Sequence, residues 1–501
     1  MTCACALANK GYEVSVFEKH WTYGGYCQNF RRKGYRFGAA VHRVGGIYGK
    51  INIDNIMKAL GIEEELQWYH FKEYVQVGDI RIDMCNENIG DKLKELFPED
   101  TLCIDRFLGE IDRINTLLNL IDEGANQGID KFSLEDLRIL GKYRRMSIDA
   151  FLREIFSNEE IVSILVAVTD AMPGGSVFAF TRMIAFANCG DATYNPVGGA
   201  ERIVELLADR IKELGGEIRL NSPVDTILVE NGRAVGVTCK GESYRADYLI
   251  SNCDFQFTVK TLVGEAYINP RLLDWVNHKW EESPSCMCVW LGLDTDLNAL
   301  GYEPVNFSYY PQKESVLEDK RKLIGKGSLQ RENDFILVSL SSNLDAKANP
   351  EGKGQMMLGM LVNWDFEGLS ELSILEQKEA YRAGKRKIAK KLIEKAERFY
   401  PQLHEHIEVM EIASPVTFQR FTGNSKGAFG GYKCTPSLVE DYSKIDGKQL
   451  IPGLFLTGHW GGVGDGVIFT TDVALRIADK IIRSDKREDF YDFNKNFPVE
   501  I

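Results

Sequence analysis

No run in this sequence approaches the roughly 18 apolar residues that span a bilayer, and Met1-Thr2 lacks the charged start of a secretory signal. The expected compartment is therefore the cytoplasm. Positive charge is scarce: 60 Lys and Arg face 73 Asp and Glu, a net charge of -13. That balance argues against nucleic acid as a partner, because neutralising phosphates takes clustered Lys and Arg. The basic stretch from Arg382 to Lys395 is mixed with Glu and reads as a solvated helix face. No Cys-x-x-Cys pair occurs among the 11 cysteines. Cys3-Ala4-Cys5 and Cys286-Met287-Cys288 are spaced too tightly for a zinc knuckle, so the thiols are expected reduced and mostly buried, with no metal site. Low-complexity segments and internal repeats are also missing.

One further absence carries more meaning. Met1 to Lys10 read as a helix, Gly11 ends it, and Glu13 to Phe17 run as a strand into the acidic Glu18. This is the second half of a dinucleotide-binding unit, in which an acid sits about 20 residues beyond a phosphate-cradling glycine loop. Counting back from Glu18 puts that loop immediately upstream of Met1. Either the sequence starts after the loop, or the chain has given up its nucleotide. Without the preceding strand, a parallel sheet would lack a central hydrogen-bonding neighbour. Ala4, Ala6 and Ala8 suit close packing of the first helix on a sheet, and Gly11 suits a left-handed cap.

At 501 residues, 44% hydrophobic and 27% charged, the chain should fold as two domains or more. Residues 1-77, 196-264 and 451-501 carry the marks of a nucleotide domain, discontinuous in sequence. Residues 78-195 and 265-450 make up a second, substrate-binding domain. The first of these insertions is helix-rich, with apolar stripes from Leu102 to Leu120, Ile161 to Val168 and Val177 to Ala187. Its Phe151, Phe156, Phe178, Phe180 and Phe186 supply a core, and a domain wrapped around an oily ligand would have the same composition. In the other insertion Cys286 to Leu293, Phe335 to Leu340 and Gln355 to Trp364 read as strands, and Glu371 to Arg398 as a long amphipathic helix. The fold class is α/β: a Rossmann-like domain beside a mixed-sheet and helical domain.

Several glycine-rich stretches follow Glu18. Tyr23-Gly24-Gly25-Tyr26-Cys27 lets backbone pass close to a pyrophosphate or flavin, as does Gly34 to Gly46, which contains His42. Pro196 to Gly199 opens a helix through Leu214, then Gly215-Gly216 leads into a strand, and Ser222-Pro223-Val224-Asp225 passes through the hairpin turn Asn231-Gly232 to Ala246 through Asp254. Finally Ile451 to Val467 reads as a buried strand ending in glycines that opens a helix from Ile468 to about Arg483. Such a turn gathers unpaired N–H groups and a positive helix end at one point.

These segments, with Arg420-Phe421-Thr422-Gly423 and Gly427 to Gly431, resemble in their order the phytoene desaturase-type flavoproteins, the group that includes carotenoid isomerase and retinol saturase, within the amine-oxidase-like flavin superfamily. The resemblance spans nearly the whole chain. It implies FAD as cofactor, with Glu18 on the adenosine ribose and Gly24 and Gly25 beside the pyrophosphate. Val224 would meet the adenine through its backbone, and Gly458, His459, Gly464, Asp465, Gly466 and Val467 would lie at the ribityl chain and isoalloxazine edge. Many relatives carry an acid where this chain has His459, which would change that contact.

The resemblance further implies hydride or electron exchange between flavin and a carbon–carbon bond of a long apolar polyene or isoprenoid: desaturation, saturation or isomerisation, with an electron donor or acceptor of unspecified identity. Peripheral membrane contact would follow from extracting such a substrate. His42 is a candidate proton handler against a structural reading, and Arg420 and Tyr432 are candidates for lining the substrate tunnel. The competing readings are a flavin amine oxidase with an aromatic cage, and a flavin-free isoprenoid- or lipid-binding relative of the GDP-dissociation-inhibitor type.

Overall fold

Small side chains let the first helix, Thr2–Asn9, sit close to its neighbours. Cys3, Cys5, Ala6 and Ala8 are buried on helices Glu201–Glu213 and Val467–Ser484, and Gly11 turns the chain with φ +82°. The computed structural model describes residues 1–44, 53–62, 66–85, 87–123, 132–187, 193–332, 334–372, 376–445, 449–462, 464 and 466–485.

The nucleotide-type strands form two separate parallel pairs. Ser15–Phe17 lies beside Glu217–Arg219, and Leu249–Ser251 beside Leu454–Leu456. Among the described residues no strand joins the pairs. Both bury side chains, Ile218 and Phe455 among them, in the core that covers the first helix. The expected strand from Glu13 is shorter, starting at Ser15. Asn231 and Gly232 take φ +49° and +74° in the hairpin between Thr226–Glu230 and Arg233–Cys239, as the type I′ turn requires.

The second domain is built on a seven-stranded mixed sheet. Its order runs Ile407–Ala413, Ser285–Leu293, Gly354–Val362, Ile336–Ser339, Asn306–Tyr310, Glu73–Val77 and Ile80–Asp83. Here the structure corrects the domain boundary drawn at residue 77. Strand Glu73–Val77 pairs in parallel with Asn306–Tyr310, so it belongs to this sheet and not to the nucleotide region. Its apolar alternation identifies a strand but names no partner. Helices Thr101–Glu123, Leu134–Tyr143, Ile148–Ile155, Glu159–Val168 and Val177–Ala187 share the core of this domain. There Phe107, Phe151, Phe156 and Phe180 pack ring to ring at 5.5 to 6.4 Å, so these aromatics form core. The side chain of Phe186 lies outside the described ones. The long helix expected from Glu371 begins only at Lys378, after a short turn over Phe366–Glu371.

A third core gathers Phe255, Trp280, Tyr432, Tyr442 and Trp460 beneath the strands Leu249–Ser251 and Leu454–Leu456. Among the described residues no helix is long and apolar enough to cross a membrane, and no cluster of metal-ligating side chains occurs.

Candidate flavin site and inner polar cluster

The ends of the parallel strands converge. Glu18 directly follows Ser15–Phe17, its N–H donates to the Arg219 carbonyl at 2.9 Å, and its own carbonyl accepts the Ser222 N–H at 2.8 Å. One carboxylate oxygen, Oε1, accepts the His20 N–H at 2.8 Å, and Oε2 has no partner among the described residues. Cys253, just past strand Leu249–Ser251, is exposed, yet it lies deep enough for burial to raise its thiol, and the charges of Glu18 and Lys19 act on it. Gly458, just past Leu454–Leu456, lies against Asn252. Val224 is half-buried at the edge of the third core. The acid, the two strand ends and the glycine turn thus meet at one edge, the place where α/β sheets bind ligands.

The glycines divide by what surrounds them. A Cβ on Gly24 (φ +112°) would meet Gln28 N at 3.4 Å and Val204 Cγ2 at 3.6 Å, whereas at Gly25 (φ +56°) it would meet nothing within 4 Å. Gly466 (φ +92°) likewise borders open space, and it precedes helix Val467–Ser484 with no side-chain cap on that helix's first N–H groups. A Cβ on Gly464 (φ +111°) would come no closer than 3.6 Å to its nearest neighbour, the Phe469 ring. Asp465 lies outside the described residues, as do Gly45 and Gly46. An acid with a spare oxygen, backbone that open space borders, and an uncapped helix start together fit a flavin dinucleotide.

His459 sits in a tight polar knot. Asn424 Nδ2 donates to the Ala428 carbonyl and to Tyr26 Oη, both at 3.2 Å, and lies 3.4 Å from His459 Nε2; its Oδ1 accepts Trp460 Nε1–H at 3.0 Å. Burial pushes the His459 imidazole down to about 4, so the ring is neutral at physiological pH. Tyr432 packs against Trp460 and Trp280 at 5.0 and 5.1 Å, 5% exposed, and its hydroxyl has no hydrogen-bond partner. Arg420 stands apart from these residues. It is exposed, its guanidinium 5.7 Å over the Phe421 ring, on an outer patch with His20 and Trp21.

His42 belongs to a different neighbourhood. Its carbonyl accepts Asn195 Nδ2 at 2.8 Å and Asn306 Nδ2 at 3.4 Å, and burial followed by the Arg43 charge holds its ring below the usual histidine range. The charges of Arg43, Glu73 and Asp170 act on it, and Tyr310 and Lys320 hydrogen-bond Asp170; sequence reasoning missed all five. They come from five separate places in the chain, brought together when the helices dock on the sheet. The one local signal was the charged Arg43 inside an otherwise glycine- and alanine-rich stretch.

The profile of the flavin-containing amine oxidoreductase family matches residues 1–468. All-trans-retinol 13,14-reductase of Danio rerio is 23% identical over 490 residues, covering 92% of this chain and 80% of that protein. The chloroplastic prolycopene isomerase of Arabidopsis thaliana is 25% identical over 508 residues, covering 96% and 80%. An oxidoreductase structure from Methanosarcina mazei shares the fold, with a TM-score of 0.61 at 16% identity over 95% of this chain and 96% of that one. The chain belongs to the flavin-containing amine oxidoreductase family and is an FAD-dependent oxidoreductase.

Proposed function

We propose that the protein exchanges hydride between its FAD and a carbon–carbon bond of a long apolar polyene or isoprenoid, as a desaturase, saturase or isomerase. The observation that carries this reading is the nearly full-length likeness to two proteins named for retinol and prolycopene, both conjugated polyenes. When bound, the flavin supplies the hydride chemistry, and the protein supplies position, dryness and electrostatics. Glu18 would accept from the adenosine ribose, Gly25 would let the pyrophosphate approach the backbone, and Val224 would meet the adenine. Gly458, Gly464, Gly466 and Val467 would hold the ribityl chain and ring edge, where the helix start behind Gly466 would favour negative charge. His459 adds a neutral ring where an acid would add a charge.

Peripheral contact with a membrane, from which an apolar substrate would be drawn, is tested by flotation with liposomes. The function is tested by incubating the purified flavoprotein anaerobically with all-trans-retinol and with prolycopene, in both flavin redox states, and separating the products. Conversion of either polyene is expected. Conversion of neither, with oxidation of putrescine instead, would move the protein to the amine-oxidase reading.

A further inference from the structure

Three cations gather on one buried indole. Arg271 Cζ lies 5.1 Å from the centroid of the Trp275 ring, Lys279 Nζ 5.4 Å and Lys444 Nζ 5.3 Å, all within cation–π range. Arg271, Trp275 and Lys279 follow at intervals of four along the continuous helical stretch Pro270–Asp274 and Trp275–Lys279, so they share a face. Lys444 reaches the same ring from just beyond helix Pro436–Tyr442. One carboxylate answers them. Asp441, its side chain 2% exposed, pairs with Lys279 at 2.5 Å and with Lys444 at 3.3 Å, and it accepts Trp280 Nε1–H at 3.2 Å. Arg271 has no acidic partner among the described residues.

Three positive charges and one negative leave this face cationic, on a chain whose net charge is -13. All three cations are exposed, whereas Trp275 beneath them is buried. Bringing like charges together costs free energy, which a single buried carboxylate offsets only in part, and one cation is enough for a cation–π contact. The charge left over suits an anionic partner. Behind the patch the rings continue inward. Trp275 packs on Trp280 at 5.8 Å, Trp280 on Tyr432 at 5.1 Å, Tyr432 on Trp460 at 5.0 Å, and Trp460 adjoins His459 at 5.5 Å. The row joins the cationic surface to the glycine turn of the candidate flavin site. Apolar burial accounts for the rings but not for the cations gathered at their outer end.

A flavin enzyme that makes or removes a carbon–carbon double bond needs a sink or a source for electrons. Taking two hydrogens from the substrate yields two electrons and two protons; two oxidised one-electron carriers each take one electron, and the protons pass to water. Saturation has the same balance in reverse, with two reduced carriers. An anionic lipid surface would use the cations but not the row of rings that leads to the flavin turn. We infer that the face formed by Arg271, Lys279 and Lys444 docks an acidic one-electron carrier protein, whose electrons pass along the row from Trp275 to Trp460. Such encounters are small and electrostatically steered, so a few well-placed charges suffice. The inference rests on net oxidation or reduction at the flavin, whichever polyene is the substrate.

An acidic two-iron ferredoxin and the basic cytochrome c, one-electron carriers of opposite charge, test it against the flavin-loaded protein at low ionic strength. The chain's overall charge favours cytochrome c, and the patch favours ferredoxin. Ferredoxin is expected to bind at least about tenfold more tightly than cytochrome c, to lose affinity as salt rises, and in its reduced form to bleach the flavin absorbance. Arg271→Glu and Lys444→Glu are each expected to weaken ferredoxin at least about tenfold, with reduction of the flavin by dithionite unchanged. Tighter binding of cytochrome c, an equal affinity for ferredoxin in all variants, or ferredoxin bound without flavin reduction overturns the inference. Capture by phosphatidylglycerol vesicles that the same variants lose, with no ferredoxin bound, also overturns it and makes the face a lipid site. Polyene conversion with a small uncharged electron mediator is independent of these outcomes, so the polyene reading stands or falls separately. Should Lys444→Glu fail to fold beside Asp441, Arg271→Glu decides, because no acid pairs with Arg271 among the described residues.

Discussion

A Cβ on Gly458 would lie 1.9 Å from Oδ1 of Asn252. The chain leaving strand Leu454–Leu456 therefore rests directly on the chain leaving strand Leu249–Ser251, at the edge where Glu18 also emerges. Only glycine allows both this approach and the local φ of +70°. Gly458→Ala is expected to lose about 2–4 kcal/mol, combining left-handed strain with an overpacked contact. Chemical denaturation and retained flavin absorbance would both report the loss. Adding Asn252→Ala should restore the part due to the contact and leave the part due to φ. A double variant no better than the single one would contradict the close-packing account.

Glu18 offers a carboxylate whose Oε1 is already engaged by the His20 N–H and whose Oε2 is available. Glu18→Gln keeps size and shape but weakens a charge-assisted acceptor and turns half of the head into a donor. A loss of about 1.5–3 kcal/mol in FAD affinity is expected, roughly 10- to 100-fold in Kd, with little change in melting temperature of the cofactor-free protein. Equilibrium dialysis against FAD measures it. An unchanged Kd would place the ribose elsewhere.

His459 gives the protein a defined acid limb. In the unfolded chain its imidazole titrates near 6.5, and in the folded protein burial holds it at about 4. Above pH 6.5 neither state binds the proton and stability is level. Between 6.5 and 4 the unfolded state takes the proton that the folded state refuses, so stability falls as pH falls. The total is on the order of 3 kcal/mol, complete below pH 4. Unfolding free energies measured in denaturant across this range should be flatter for His459→Gln by that amount. Parallel curves for the two proteins would show that His459 is not the group responsible.

The sequence disclosed most where one local rule was enough. The turn at Asn231-Gly232, the glycine-to-helix junction at Gly466-Val467 and the first helix through Asn9 each follow from residues within a few positions of one another. What needed partners across the chain stayed hidden. Strand Glu73–Val77 reads as a strand from its own alternation, but its neighbour Asn306–Tyr310 lies over 200 residues away. Asn252 gives no sign by itself that Gly458 rests on it. The pairing of Arg43 with Glu73 and of Asp170 with Lys320 exists only once the helices have docked on the sheet. Arg420 shows the reverse case: a motif of the family resemblance contains it, but only the structure shows its side chain exposed over Phe421.

Tyr432 separates a structural role from a functional one. Its ring is clamped among Trp280, Trp460 and Phe255, and its hydroxyl is buried without a partner. A buried hydroxyl left unsatisfied destabilises the fold by about 1–3 kcal/mol relative to a paired one, and Tyr432→Phe removes the hydroxyl while keeping the ring. In the flavin-free protein that variant is expected to be more stable, by about 1 kcal/mol in the denaturation midpoint analysis. A gain that persists unchanged with flavin and substrate bound makes Tyr432 a core residue and ends its candidacy for the tunnel. A gain that reverses to a loss only in the loaded protein means that a bound molecule supplies the missing partner, and its hydroxyl then faces the ligand.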